Sequence, residues 1–456
     1  MTDVNATASR RELLLGAAAG TSLLLARPAI GAAPAAKIGR KSFPKGFRWG
    51  CATAAHQIEG NNSNSDLWFL ENIKPTTFTE RSGDACDSYH RYGEDIALLA
   101  KLGFNSYRFS IEWSRVEPSR GFFSNAALDY YKRVLATCRA HHIAPAVTFF
   151  HSSAPLWFAE AGGWTNPDSP ALFARFCDRA ARALGADMEL AFTINEPQVN
   201  QVFRTIPGAS AYFRKQDAAE MAMRDTAAKA LDAPDFAAIG FPDFARTTPN
   251  LVAGHEQGFA AIKAVRGDLP IGVTLSVTDF QPGTEDSPYQ EVRQTAYGEW
   301  IESIKRAGDF TGVQSYRMIR IPGKGKALPP MPPIPFVKPG DMVGNMSRPE
   351  AVANTLEYIH TATGKPVIMS ENGLETENDA YRIWFIDRAI ASLHAALEKG
   401  IPVLGYYHWS LLDNYEWNRG YKPKYGLVAV DRETFKRTPK KSAAHLGKIA
   451  LANALA

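Results

Sequence analysis

From residue 43 onward, short runs of β-branched and aromatic residues alternate with longer stretches in which apolar residues recur every three or four positions. A strand buried on both faces reads as an unbroken apolar run, and a helix packed on it shows one apolar stripe. Eight runs read as strands: FRWGCATAA from 47, SYRFSIEW from 106, APAVTFF from 144, LAFTINEP from 190, IGVTLSV from 271, GVQSY from 312, PVIMSEN from 366 and VLGYYHWS from 403. Between them lie helical patterns such as ALDYYKRVLATCRAHH and RIWFIDRAIASLHAALEKG, the second closing on a Lys-Gly pair suited to a helix C-terminus. Without a low-complexity linker to divide them, these units predict one α/β domain, a (β/α)₈ TIM barrel with long βα loops.

One stretch departs from the pattern: IPGKGKALPPMPPIPFVKPG at 321–340 is rich in Pro and Gly. It reads as a surface loop after strand six, where a barrel carries its site, and is expected to wall the site and shape entry to it.

Composition narrows the classes. With 456 residues, 45% of them hydrophobic and 11% aromatic, the chain can bury a large core and is not a disordered one. Its 51 basic and 47 acidic residues are interspersed, so no basic face points to nucleic acid, and a neutral small molecule is the expected partner. Cys51, Cys86, Cys138 and Cys177 lie far apart without a C-x-x-C pair, which argues against structural zinc and for buried thiols. The first residues are of another kind. SRRELL at 9–14 resembles a twin-arginine export signal, followed by the apolar LLLGAAAGTSLLLA and the small-residue run AIGAAPAA. The apolar part is shorter than the roughly 20 residues that span a bilayer. Residues 1–36 are therefore expected to be a cleaved signal peptide, and 37–456 a periplasmic or secreted barrel that does not stay in the membrane.

Two acidic motifs carry candidate chemistry. TINEP at 193–197 places Glu196 at the end of strand four, and SENG at 370–373 places Glu371 at the end of strand seven. Either could be a turn or helix cap on its own. Together, at two strand ends of one barrel, they match the pair of carboxyls that glycosidic cleavage requires.

Over nearly all of 43–448 the sequence resembles family 1 glycoside hydrolases, the β-glucosidase family. FPKGFRWGCATAAHQIEG, GDACDSYHRYGEDIALLAKLGFNSYRFSIEWSRVEP and HWSLLDNYEWNRGYKPKYGLVAVD carry the likeness together with TINEP and SENG. The resemblance implies a retaining β-glycosidase, most simply a β-glucosidase acting on small or oligosaccharide β-glycosides, with no metal or organic cofactor. It implies Glu196 as acid/base and Glu371 as nucleophile, with Arg108 and Tyr316 contacting the nucleophile. Gln57, His151, Asn195, Tyr316, Glu416 and Trp417 match sugar-binding positions, and Trp409 matches the aromatic floor. Glu416 would repel a phosphate, which disfavours a 6-phospho-glycosidase, and Glu196 disfavours a thioglucosidase.

Three features depart from the family. Ser152 and Ser153 replace the Trp-Asp that usually follows the strand-three histidine. Gln314 and Ser315 stand before Tyr316 in place of Asn-Tyr. The segment TAYGEWIESIKRAGDF is short. These changes leave open a shifted glycone specificity, toward a galactoside, fucoside or modified sugar, or, less simply, a non-catalytic carbohydrate-binding relative.

Overall fold

The computed structural model describes residues 42–206, 209–338 and 341–455. The expected signal peptide lies outside them. Eight strands close into a parallel barrel in chain order: β1 Arg48–Ala52, β2 Ser106–Ser110, β3 Ala144–Phe150, β4 Leu190–Asn195, β5 Ile271–Ser276, β6 Phe310–Gln314, β7 Val367–Asn372 and β8 Val403–Trp409, with β8 pairing back on β1. All eight runs read from the sequence are strands, within a few residues of their expected ends.

Strand residues alternate between two apolar sets, as the pleat requires. Ala52, Ala146, Leu190, Phe192, Phe310, Ile368 and Tyr407 form one cluster, which the alternation places inside the barrel. Their neighbours, among them Cys51, Tyr107, Val147, Ala191, Val313 and Met369, belong to the larger cluster shared with the surrounding helices. Large and small residues share the interior: a Cβ on Gly50 would come within 2.6 Å of the Tyr407 ring.

The helices close by local rules. Asn125–Ala140 starts at Ser124, whose side chain accepts from the amide of Ala127. Asp379–Glu398 is capped by Asn378 and ends as its Lys-Gly pair implies: Gly400 adopts φ +86°, its amide bonds to Leu397 O, and that of Ile401 bonds to Ala396 O. Three register shifts fall near the C-terminal ends of the strands. One separates the Phe192 and Asn195 pairings of β4 with β5, one the Val313 and Gln314 pairings of β6 with β7, and one the Tyr406 and His408 pairings of β8 with β7. Such irregularities re-aim side chains at the rim of a barrel.

The Pro-rich segment differs from expectation. Its first residue ends a strand, Met318–Ile321, that pairs in parallel with Asp279–Pro282 outside the barrel. Leu328 and Phe336, beyond it, are exposed. Among the described residues no helix is long and apolar enough to cross a membrane, and all four cysteines are buried and free.

Candidate active site

The C-terminal ends of the strands open into a cavity of about 410 Å³. His151 follows β3, Glu196 follows β4, Tyr316 follows β6, Glu371 belongs to β7 and Trp409 to β8, and all line the cavity with Glu416 and Trp417 from the loop after β8. Arg108, Asn195 and Gln57 are buried behind its surface.

Glu371 is held from two sides. Arg108 Nη1 donates to Oε1 at 2.5 Å and Tyr316 Oη donates to Oε2 at 2.8 Å. Burial raises its pKa above the ordinary carboxylate value, and both donors oppose that rise. Glu196 is pushed further, to about 8, first by burial and then by the charge of Glu371, with only weaker opposition from Ser276, Arg108 and Arg317. Of two carboxyls in one cavity, Glu196 thus holds its proton the more firmly and Glu371 has the donors that favour its charge, the order needed for one to attack while the other donates a proton.

Behind them runs a chain of amides. Arg108 Nη2 donates to Asn195 Oδ1 at 2.5 Å, and Gln314 Nε2 donates to the same oxygen at 2.7 Å. Gln57 spends its amide nitrogen on Tyr415 O at 2.6 Å and Asn414 Oδ1 at 3.2 Å, leaving its buried Oε1 as an acceptor without a partner among the described residues. His151, buried near the positive Arg108, is held far below its ordinary pKa and stays neutral. Its ring lies 5.8 Å from Trp409 and 6.1 Å from Trp417. Glu416 accepts from Trp409 Nε1 at 3.2 Å, and burial pushes its carboxyl up to about 8. Aromatic faces beside polar acceptors suit a sugar ring, which has both C–H and hydroxyl surfaces.

The two serine departures have different places. Ser152 faces the cavity at φ +68°, whereas Ser153 is buried and donates to Glu112 Oε2 at 2.5 Å. Ser153 therefore belongs to the support of the barrel rim. The Pro-rich segment, expected to wall the site, contributes none of its described residues to the lining. Proline disfavours regular pairing but says nothing of where a loop will lie. The wall comes instead from residues that motifs did not mark: Leu67, Leu70 and Phe78 before β2, and Phe203, Gln216, Glu220, Met223 and Phe241 between β4 and β5. The available signal was length, since residues 196–270 separate those two strands. Arg317, next to Tyr316, was also missed.

The sequence profile of glycosyl hydrolase family 1 matches residues 39–231 and 334–455. The chain is 30% identical to thermostable β-glucosidase B of Thermobispora bispora over 94% of each chain. It is 28% identical to β-glucosidase A of Acetivibrio thermocellus over 88% of this chain and 96% of that one. Among solved structures, the apo form of a β-glucosidase designated 1317 superposes with a TM-score of 0.82 at 43% identity, covering 89% of this chain and 98% of that one. The β-glucosidase from Thermotoga maritima in complex with methoxycarbonyl-substituted glucoimidazole gives 0.76 at 26%, covering 91% and 100%. With its parallel barrel, two strand-end glutamates in one cavity and a profile match across most of its length, the chain belongs to glycosyl hydrolase family 1 and is a glycoside hydrolase.

Proposed function

We propose that this hydrolase is a retaining β-glucosidase in which Glu371 is the nucleophile and Glu196 the acid/base. The observation that carries the assignment is the asymmetry of the pair: Arg108 and Tyr316 bind the oxygens of Glu371, while Glu196 keeps its proton to about pH 8. Glu371 attacks the anomeric carbon as Glu196 protonates the departing oxygen. In the glycosyl-enzyme the Glu371 charge is gone, and with it the repulsion that raises Glu196. Glu196 can then deprotonate water for the second displacement, so both inversions together retain the anomer.

The test is a pair of substitutions on aryl β-glucosides. Glu371→Gln is expected to abolish turnover. Glu196→Ala should slow poor leaving groups most and regain rate with azide, which can enter the vacated space and attack the intermediate. The pH profile of kcat/KM should fall on its alkaline side near pH 8, where Glu196 loses its proton, and that limb should vanish in Glu196→Ala. Equal loss for all leaving groups without rescue would overturn the roles, and an α-anomer as first product would overturn retention.

We also propose export through the paired arginines Arg10 and Arg11. Their replacement by Lys should hold the precursor in the cytoplasm, because a translocase reads the pair as an address. Unchanged accumulation outside the cytoplasm would sink this reading.

A further inference from the structure

Phe203 lies in the short helix Val199–Arg204 that follows Glu196, and Glu196 must reach the departing oxygen, so this helix marks the leaving-group side. The cavity is also lined by an apolar set in which Met223, Phe241, Leu67 and Leu70 form one cluster and Phe78 packs against it. Arg317 stands out there. Its guanidinium lies over the Phe203 ring, 5.0 Å from the centroid, and it is the one cationic side chain among the described residues that line the cavity.

Among the described residues, no carboxylate lies within ion-pair distance of Arg317. Of the four acids that line the cavity, Glu196 feels the charge of Arg317 but, with its carboxyl pushed up to about 8, is protonated near pH 6, and the other three are engaged elsewhere. Arg108 and Tyr316 hold Glu371, and Trp409 donates to Glu416. Glu220 accepts from Gln216 Nε2 at 2.8 Å and lies 3.7 Å from Arg204. A guanidinium cannot shed its charge and has donors only, so in a half-buried apolar setting its unmatched fork is complementary to an anion. A carboxylate matches that fork in two parallel hydrogen bonds.

We infer that the leaving-group side takes an aromatic aglycone bearing a carboxylate, with the ring against the apolar wall and the acid on Arg317. This deepens the β-glucosidase reading and rests on it. Stacking on Phe203 fixes the plane of the guanidinium, which sets where on the ring the acid must lie.

The experiment compares 4-carboxyphenyl and 4-carbamoylphenyl β-D-glucoside, equal in size and differing in charge, near pH 6. Wild type is expected to favour the carboxylate in kcat/KM by about 10- to 100-fold, the worth of a charge-assisted pair. In Arg317→Gln the ratio should fall to about one, and Arg317→Lys should keep part of it, because the charge remains without the fork. A wild-type ratio of one or less overturns the inference. So does a ratio unchanged in Arg317→Gln, or an equal fall for both substrates with a displaced alkaline limb, which would show that Arg317 acts on Glu196 alone. If the glutamine variant does not fold, the wild-type and lysine ratios decide. If wild type cleaves neither substrate, it is the β-glucosidase reading that falls. Arg317 is then tested by calorimetry with 4-hydroxybenzoate against 4-hydroxybenzamide, and equal affinity rejects it.

Discussion

Arg108 can only donate hydrogen bonds, and that fixes two amides beyond it. Asn195 must turn its oxygen toward the guanidinium, and Gln314 must then offer its nitrogen to the same oxygen. The Asn195 Nδ2 donor takes part in neither bond. Gln314→Leu removes one of the two restraints and should lower kcat/KM for β-glucosides by about tenfold, the worth of one buried hydrogen bond. Gln314→Glu should be worse near pH 7, where carboxylate would face carbonyl, and should recover as acid restores a donor. If Leu and Glu behave alike at every pH, Gln314 does not orient Asn195. Much at this scale was legible. TINEP and SENG pointed to both glutamates, and the family likeness pointed to the partners of Glu371. Arg317 was not, because a single arginine in a loop repeats no spacing and completes no motif.

Among the elements, the eight strands were legible because burial on both faces writes itself as an apolar run. The wall of the cavity was not, since which excursion folds inward depends on what it packs against. Met223, on the helix Ser210–Ala230, shows this: it is buried among Leu67, Leu70, Phe236 and Phe241 and also lines the cavity. Met223→Ala should raise KM for aryl glucosides about fivefold, roughly 1 kcal/mol of lost apolar contact, and should also lower thermal stability. Replacing residues 324–331 of the Pro-rich segment by Gly and Ser should leave kcat/KM within about twofold, as expected for a loop that touches no substrate. The reverse ranking would return the wall to that segment.

For the molecule as a whole, the rim of the barrel stores pH dependence. Asp66 is buried and accepts from Leu67 N at 2.7 Å and Ala154 N at 2.9 Å, while its Oδ2 has no hydrogen-bond partner among the described residues. Burial, aided by the charge of Glu112, pushes its carboxyl from 3.8 up to about 8. A raised folded-state pKa contributes stability that is fully present below the unfolded value and is lost as pH climbs through the folded one. Melting temperature should therefore decline between about pH 4 and pH 8 and level off above that range. Asp66→Asn, which mimics the protonated acid and keeps the acceptor for both amides, should decline less steeply. Parallel curves would show that Asp66 is not a source of the slope.

The four buried thiols have a consequence for handling the protein. None is paired, and burial pushes Cys86 and Cys138 up to about 12 and raises Cys51 and Cys177 as well, so almost no thiolate exists to react in the native state. The fold needs no oxidant, and neither reducing nor mildly oxidising surroundings should alter its melting. Because the cysteines sit on β1, before β2, and on the helices Asn125–Ala140 and Ser169–Leu184, an alkylating reagent can reach them only as the first half of the barrel opens. Their modification over time is a clock of that opening, supplied by the native sequence without any added label.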